Sequence, residues 1–120
     1  GKSVVLVEDS IVRGTTSRSR VAEVRNAGAR EVHMRISCPP IVHPCFYGID
    51  FPSEEELIAY GKTVKEIANF IGVDSLAFLS LDGMLSVMKD GKAFCHACFT
   101  GEYPVQIPLN KSKYLLEESA

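Results

Sequence analysis

The chain opens on an unbroken apolar run, Val4-Val5-Leu6-Val7, closed by Glu8 and Asp9. A run without polar alternation is what a parallel strand covered on both faces shows, so residues 3–7 predict a central strand. Ser10 to Thr16, with Gly14 inside it, interrupts the pattern. From Thr16 to Ala27 the apolar positions Val21, Val24 and Ala27 recur at helical spacing, with Arg18, Arg20, Glu23 and Arg25 on the wetter sides. Gly28 marks the expected stop of that helix. Glu31 to Ser37 alternates, with Val32, Met34 and Ile36 facing one way, and predicts a second strand nearer a sheet edge. Strand, loop, helix and strand in this order imply a right-handed parallel crossover.

Cys38 to Phe51 has no period and carries Pro39, Pro40, Pro44 and Gly48. Ser53 then stands as an N-cap before Glu54, Glu55 and Glu56, with Leu57 and Ile58 expected to carry a short helix. Thr63 to Phe70 predicts another helix, with Val64, Ile67, Ala68 and Ile71 on one face and Gly72 at its end. Ser75 to Ser80 predicts a third strand, whose sheet core is residues 75–79. Leu81-Asp82-Gly83 is expected to turn the chain into a short helix, Met84 to Met88. The pattern is that of an α/β protein with a parallel sheet core and flanking helices. From Pro108 onward the residues suggest a surface arm.

At 120 residues the chain holds one domain at most. With 46% hydrophobic and 23% charged residues it has the composition of a folded rather than a disordered chain. A formal net charge of -2 supplies no basic field for general nucleic-acid binding. The apolar runs are too short to cross a bilayer, and Gly1-Lys2-Ser3 does not open a signal peptide, so a cytoplasmic location is expected. A central strand that begins at residue 3 needs neighbours on both sides, which leads us to expect a piece of a larger polypeptide.

Cys38, Cys45, Cys95 and Cys98 could form two disulfides by number, but nothing else in the chain suggests secretion. Cys95-His96-Ala97-Cys98 has the spacing that lets two thiolates reach one metal or cluster. A thioredoxin-like pair is a weaker reading, because Phe99 to Pro104 suggests a turn rather than a helix. Inert thiols are the third.

The densest chemistry lies between Glu8 and Ser17. Two carboxylates stand at the C-terminal end of an apolar strand, where open α/β sheets bind ligands. Ser10, Gly14, Thr15, Thr16 and Ser17 then lead into a helix, whose free N–H groups together with the hydroxyls suit a phosphate. The carboxylates suit sugar hydroxyls or hydrated Mg²⁺. The spacing is neither that of a Walker loop nor that of the dinucleotide fingerprint. A plain strand–helix turn capped by Thr15 or Thr16 accounts for the threonines but not for the carboxylate pair.

Glu8-Asp9-Ser10-Ile11-Val12-Arg13-Gly14-Thr15-Thr16 resembles the phosphoribosyl-pyrophosphate (PRPP) motif of type I phosphoribosyltransferases, in the version of the glutamine PRPP amidotransferase family. Pro39-Pro40-Ile41, Phe46-Tyr47-Gly48-Ile49-Asp50, Glu56-Leu57-Ile58-Ala59 and Leu79-Ser80-Leu81-Asp82-Gly83 are similar to the same family, and Cys95 to Gly101 to its iron–sulfur branch. The resemblance implies that residues 1–107 are the C-terminal portion of a phosphoribosyltransferase domain, a partial type I fold, with 108–120 the arm. It implies that Glu8 and Asp9 bind ribose hydroxyls and Mg²⁺. It further implies that Ser10, Ile11, Val12, Arg13, Gly14, Thr15, Thr16 and Ser17 cradle the 5′-phosphate. A 4Fe-4S cluster would take Cys45, Cys95 and Cys98, with a fourth cysteine upstream and Cys38 outside the pattern as a buried or semi-buried thiol. Zinc on all four cysteines is the rival. No catalytic residue is assigned.

The family transfers ammonia, released from glutamine by an upstream glutaminase domain, to PRPP. The product is 5-phosphoribosylamine, the start of purine synthesis. Purine nucleotides as inhibitors, a homo-oligomer and an inactive isolated segment go with the same resemblance. Other type I phosphoribosyltransferases, a PRPP-binding regulator and a small metal- or cluster-binding module are the alternatives.

Overall fold

A computed structural model describes residues 1–107. The expected arm, 108–120, lies outside the described residues. Three strands, β1 (Ser3–Glu8), β2 (Glu31–Ile36) and β3 (Ser75–Phe78), form one parallel sheet in the order β1-β2-β3. Helix α1 (Thr15–Asn26) connects β1 to β2, and α2 (Val64–Ile71) precedes β3. Two short helices follow, α3 (Leu81–Ser86) and α4 (Ala97–Thr100). Register pairs Val4 with Val32, Leu6 with Met34, and Met34 in turn with Leu76.

The alternation of β2 decides where the core forms. Val32, Met34 and Ile36 are all buried, against Val21 of α1 and Ile67 and Ile71 of α2. Each such side chain contributes about 1.5–3 kcal/mol relative to exposure. The ends of α2 follow from its sequence. Thr63 accepts the Glu66 N–H while Glu66 reaches back to the Thr63 N–H, and Gly72 leaves the helix at φ 87°. Arg25 ties α1 to this helix end, donating to the Gly72 carbonyl and to Asp74 at 2.8 Å each. Asp74 also accepts the Val32 N–H at 2.7 Å. That backbone bond, and next the Arg25 guanidinium, hold the Asp74 carboxyl below its ordinary value.

Four expectations are corrected. Among the described residues β2 has a strand on each side rather than the edge place expected, while β1 pairs with β2 alone and leaves Val5 59% and Val7 72% exposed. The polar residues that suggested an edge for β2 are satisfied across the sheet. His33 bonds Ser75 at 2.8 Å and Ser3 at 3.1 Å, and Arg35 donates to the Ser75 hydroxyl at 3.1 Å. The turn expected at Leu81-Asp82-Gly83 is instead the first turn of α3, because Ser80 caps it by accepting the Gly83 N–H at 3.0 Å. Strand β3 accordingly ends at Phe78, short of Leu79 and Ser80. Leu57 and Ile58 carry no helix: a 3-10 turn at Glu54–Glu56, boxed by Ser53 and Glu56, ends at an extended Leu57. Residues after Cys98 continue a one-turn helix to Thr100 rather than a turn.

Candidate functional site

β1 delivers Glu8 at its last position, and the next residues wrap into α1 without any side-chain cap. Gly14 fills the cap position with a left-handed backbone, φ 78°. Neither Thr15 nor Thr16 serves there; both lie inside the first turn of α1. Glycine is required at 14 for a second reason. A Cβ there would overlap Ile58 Cδ1 and stand 3.3 Å from Phe70 Cε1. The loop is thereby pressed onto the segment before α2, and Ile58 N–H closes the contact on the Val12 carbonyl at 2.8 Å.

The result is an open cleft of about 310 Å³ lined by Glu8 to Arg13, by Thr15 to Ser17 and by Arg20. Nine of the ten residues assigned by resemblance therefore share one cleft, and Gly14 shapes it from beneath. The free N–H groups of an α-helix N-terminus point into such a space and favour an anion. Ser17 is buried under the loop, as is Ile11, while Thr15 and Thr16 are exposed.

The two carboxylates are not equivalent. Glu8 pairs with the Arg20 guanidinium, an ion pair that raises the already high Arg20 value further. Its backbone carbonyl accepts the Ser37 N–H at 3.0 Å. Asp9 is exposed, with the Ser10 hydroxyl as its hydrogen-bond partner at 3.2 Å. A carboxylate so placed fits a hydrated divalent cation or a diol. Arg13, on the lining of the cleft, pairs with Glu56 at 3.2 Å. Arg20 is the residue that reading the helix face missed. Its place on the polar side of α1 suggested water, and only the path of the loop brings it over Glu8.

A second cluster gathers the cysteines. Val42 and His43 N–H both donate to the Cys98 carbonyl at 3.0 Å, which lays α4 against the Pro-rich segment. Tyr103 Oη donates to the Pro44 carbonyl at 2.7 Å and its ring meets Phe46, with centroids 5.2 Å apart. Burial pushes the Cys98 thiol up, and Cys45 and then Cys95 add to this, so the three expected ligands lie in one neighbourhood. Burial also pushes Cys38 up, to about 11, with Cys98 and Asp9 adding. All four cysteines are free thiols. Among the described residues no three His, Cys, Asp or Glu side chains are close enough to grip one metal ion.

No protein-family model matches the chain. It is 58% identical over 120 residues to an amidophosphoribosyltransferase of Synechocystis, a match covering 98% of this chain and 24% of that protein. It is 55% identical over 111 residues to the amidophosphoribosyltransferase of Archaeoglobus fulgidus, covering 90% of this chain and 24% of the relative. Among solved structures it is similar to a glutamine PRPP amidotransferase of B. subtilis in complex with ADP and GMP. That likeness has a TM-score of 0.83 and 55% identity over 92% of this chain and 25% of the other. A second structure, described as the allosteric regulatory enzyme of purine biosynthesis, gives a TM-score of 0.85 at 54% identity, over 93% and 25% of the two chains. The parallel sheet and its strand-end cleft are thus part of a type I phosphoribosyltransferase fold. The chain spans about a quarter of the length of the curated relatives it matches. Over that span it belongs to the amidophosphoribosyltransferase family.

Proposed function

We propose that this chain supplies the ribose-phosphate cradle of an enzyme that transfers glutamine-derived ammonia to PRPP, giving 5-phosphoribosylamine for purine synthesis. The observation that carries the reading is the cleft. An exposed strand-end carboxylate, a glycine-capped helix N-terminus and a rim of hydroxyls converge on one space, in a chain over half identical to amidophosphoribosyltransferases. Ser10 and Thr15 to Ser17, with the first N–H groups of α1, bind the 5′-phosphate and fix the sugar. Asp9 and Glu8 take the ribose hydroxyls, and Asp9 is the residue best placed to hold Mg²⁺, which when bound offsets the charge of the pyrophosphate group. The glutaminase that releases ammonia, the rest of the phosphoribosyltransferase domain and the assembly into a homo-oligomer belong to the longer protein. Purine nucleotides, which share the ribose 5-phosphate group, are inhibitors on this reading; the B. subtilis relative was solved with ADP and GMP.

The cysteine neighbourhood supports a 4Fe-4S cluster held by Cys45, Cys95 and Cys98 with one cysteine from the longer protein. Its role is structural, since transfer of an amide nitrogen needs no electron transfer and a cluster staples distant segments. Free thiols suit a reducing compartment such as the cytoplasm. Among the described residues no helix is long and apolar enough to cross a membrane.

Asp9→Asn in the full-length protein tests the function. PRPP-dependent, glutamine-dependent release of pyrophosphate should fall at least about tenfold while thermal stability is held. Unchanged kinetics in that variant would remove the assignment.

A further inference from the structure

Three arginines stand between residues 13 and 20, and each has a different partner. Arg13 is held by Glu56 at 3.2 Å. Arg18 lies over the Phe70 ring, 5.2 Å from its centroid. Arg20 reaches back to the end of β1 and pairs with Glu8. It sits in the second turn of α1, where side chains lean toward the helix N-terminus, and so it lines the cleft. The Glu8 side chain is 21% exposed and that of Arg20 50%, which leaves part of the guanidinium facing the cleft.

We propose that Arg20 is a positioning residue of the cleft. It turns Glu8 toward α1 and cancels its charge, so that a phosphate-bearing ligand meets one net carboxylate, Asp9, rather than two. The inference rests on the reading of the cleft as a ribose-phosphate site. Its physical ground is like-charge repulsion. A bare carboxylate beside a phosphate cradle opposes binding, and an ion pair removes that opposition. The guanidinium has five N–H donors, so pairing with one carboxylate leaves others for a ligand oxygen. Glu8 then orients a sugar hydroxyl from a fixed position, and Asp9 stays free for a cation.

The test uses the full-length protein and AMP, which carries the ribose 5-phosphate group without pyrophosphate, titrated calorimetrically with and without Mg²⁺. Arg20→Gln should weaken AMP binding about tenfold. Arg20→Lys, which keeps the charge, should recover most of the loss. The double variant Glu8→Gln/Arg20→Gln should bind AMP better than Arg20→Gln alone, because the unpaired carboxylate is gone, with thermal stability unchanged in both; a merely structural Arg20 would move thermal stability in step with affinity. In steady state Arg20→Gln should raise the KM for PRPP with kcat held within about twofold. Wild-type AMP affinity in Arg20→Gln, or a double variant no better than the single, overturns the proposal. If Asp9→Asn still weakens AMP binding with Mg²⁺ present, only the role of Arg20 falls. If Asp9→Asn also binds AMP as wild type does, the ribose-phosphate reading falls with it.

Discussion

Replacing Gly14 with alanine adds one methyl group at a place where both the backbone and the neighbouring side chains resist it. The left-handed conformation, φ 78°, costs an L residue about 1–2 kcal/mol. The new Cβ also overlaps Ile58 Cδ1, and Ile58 is only 5% exposed and packed into the core. Making room there forces a side chain off its rotamer or shifts the loop, for about 1–3 kcal/mol more. The expected destabilisation is therefore about 2–5 kcal/mol, large against a usual total of about 5–15. Gly72 is the control. Its φ is 87°, but a Cβ there would meet nothing within 4 Å, so Gly72→Ala should cost the backbone share alone, about 1–2 kcal/mol. Ile58→Val removes the overlapped methyl and by itself costs about 0.5–1.5 kcal/mol. Combined with Gly14→Ala it should recover at least about 1 kcal/mol relative to the sum of the two single changes. Urea unfolding of the full-length variants, read at matched slopes, measures all four. Equal costs at positions 14 and 72, with an additive cycle, would refute the reasoning.

Two further predictions concern charge and sulfur. The depressed Asp74 carboxyl contributes stability that is present above its unfolded value of about 3.8 and is lost as pH falls through the lower folded value. The stability difference between wild type and Asp74→Asn should therefore be constant near neutrality and narrow as pH falls below about 3.8; a gap that does not narrow at all on acidification would contradict it. Anaerobic reconstitution of the full-length protein, with iron and sulfide counted against zinc, should give about four irons, lost in Cys45→Ala and kept in Cys38→Ala. One zinc and no sulfide would end the cluster reading.

Much of the site could be read from the residues, because its parts are contiguous. Glu8 to Ser17 forms strand end, loop and helix start in one stretch, so their convergence needs no long-range packing. The alternation of Val32, Met34 and Ile36 likewise named the buried face of β2, and Gly72 the end of α2. What escaped was set by relations between distant elements. β2 carries His33 and Arg35, so hydropathy placed it toward a sheet edge. Strand order is fixed instead by the crossovers, and the polar face of β2 is satisfied by Ser3 and Ser75 from the strands beside it. Gly83 suggested a turn because its lack of a side chain outweighed the cap offered by Ser80. Arg20 escaped because its pairing with Glu8 depends on the geometry of the loop between them, which residue spacing does not encode.

The 3-10 turn Glu54–Glu56 carries a constraint on how this region can change over evolution. Glu54 bonds His43 at 3.2 Å, beside the cysteine segment, and Glu56 bonds Arg13 at 3.2 Å, on the loop between β1 and α1. Each residue in such a helix turns the chain by about 120°, so the two carboxylates leave the turn in different directions because one residue, Glu55, separates them. An insertion or deletion between them would swing one carboxylate away from its partner while leaving the other in place. Homologues should therefore vary in length on either side of this turn, in the aperiodic stretch from residue 45 to 52 or around Tyr60 to Lys62, and hold their length across 54–56. The turn acts as a ruler in the sequence: the spacing of Glu54 and Glu56 is what the two contacts require, whereas Glu55 reaches neither His43 nor Arg13.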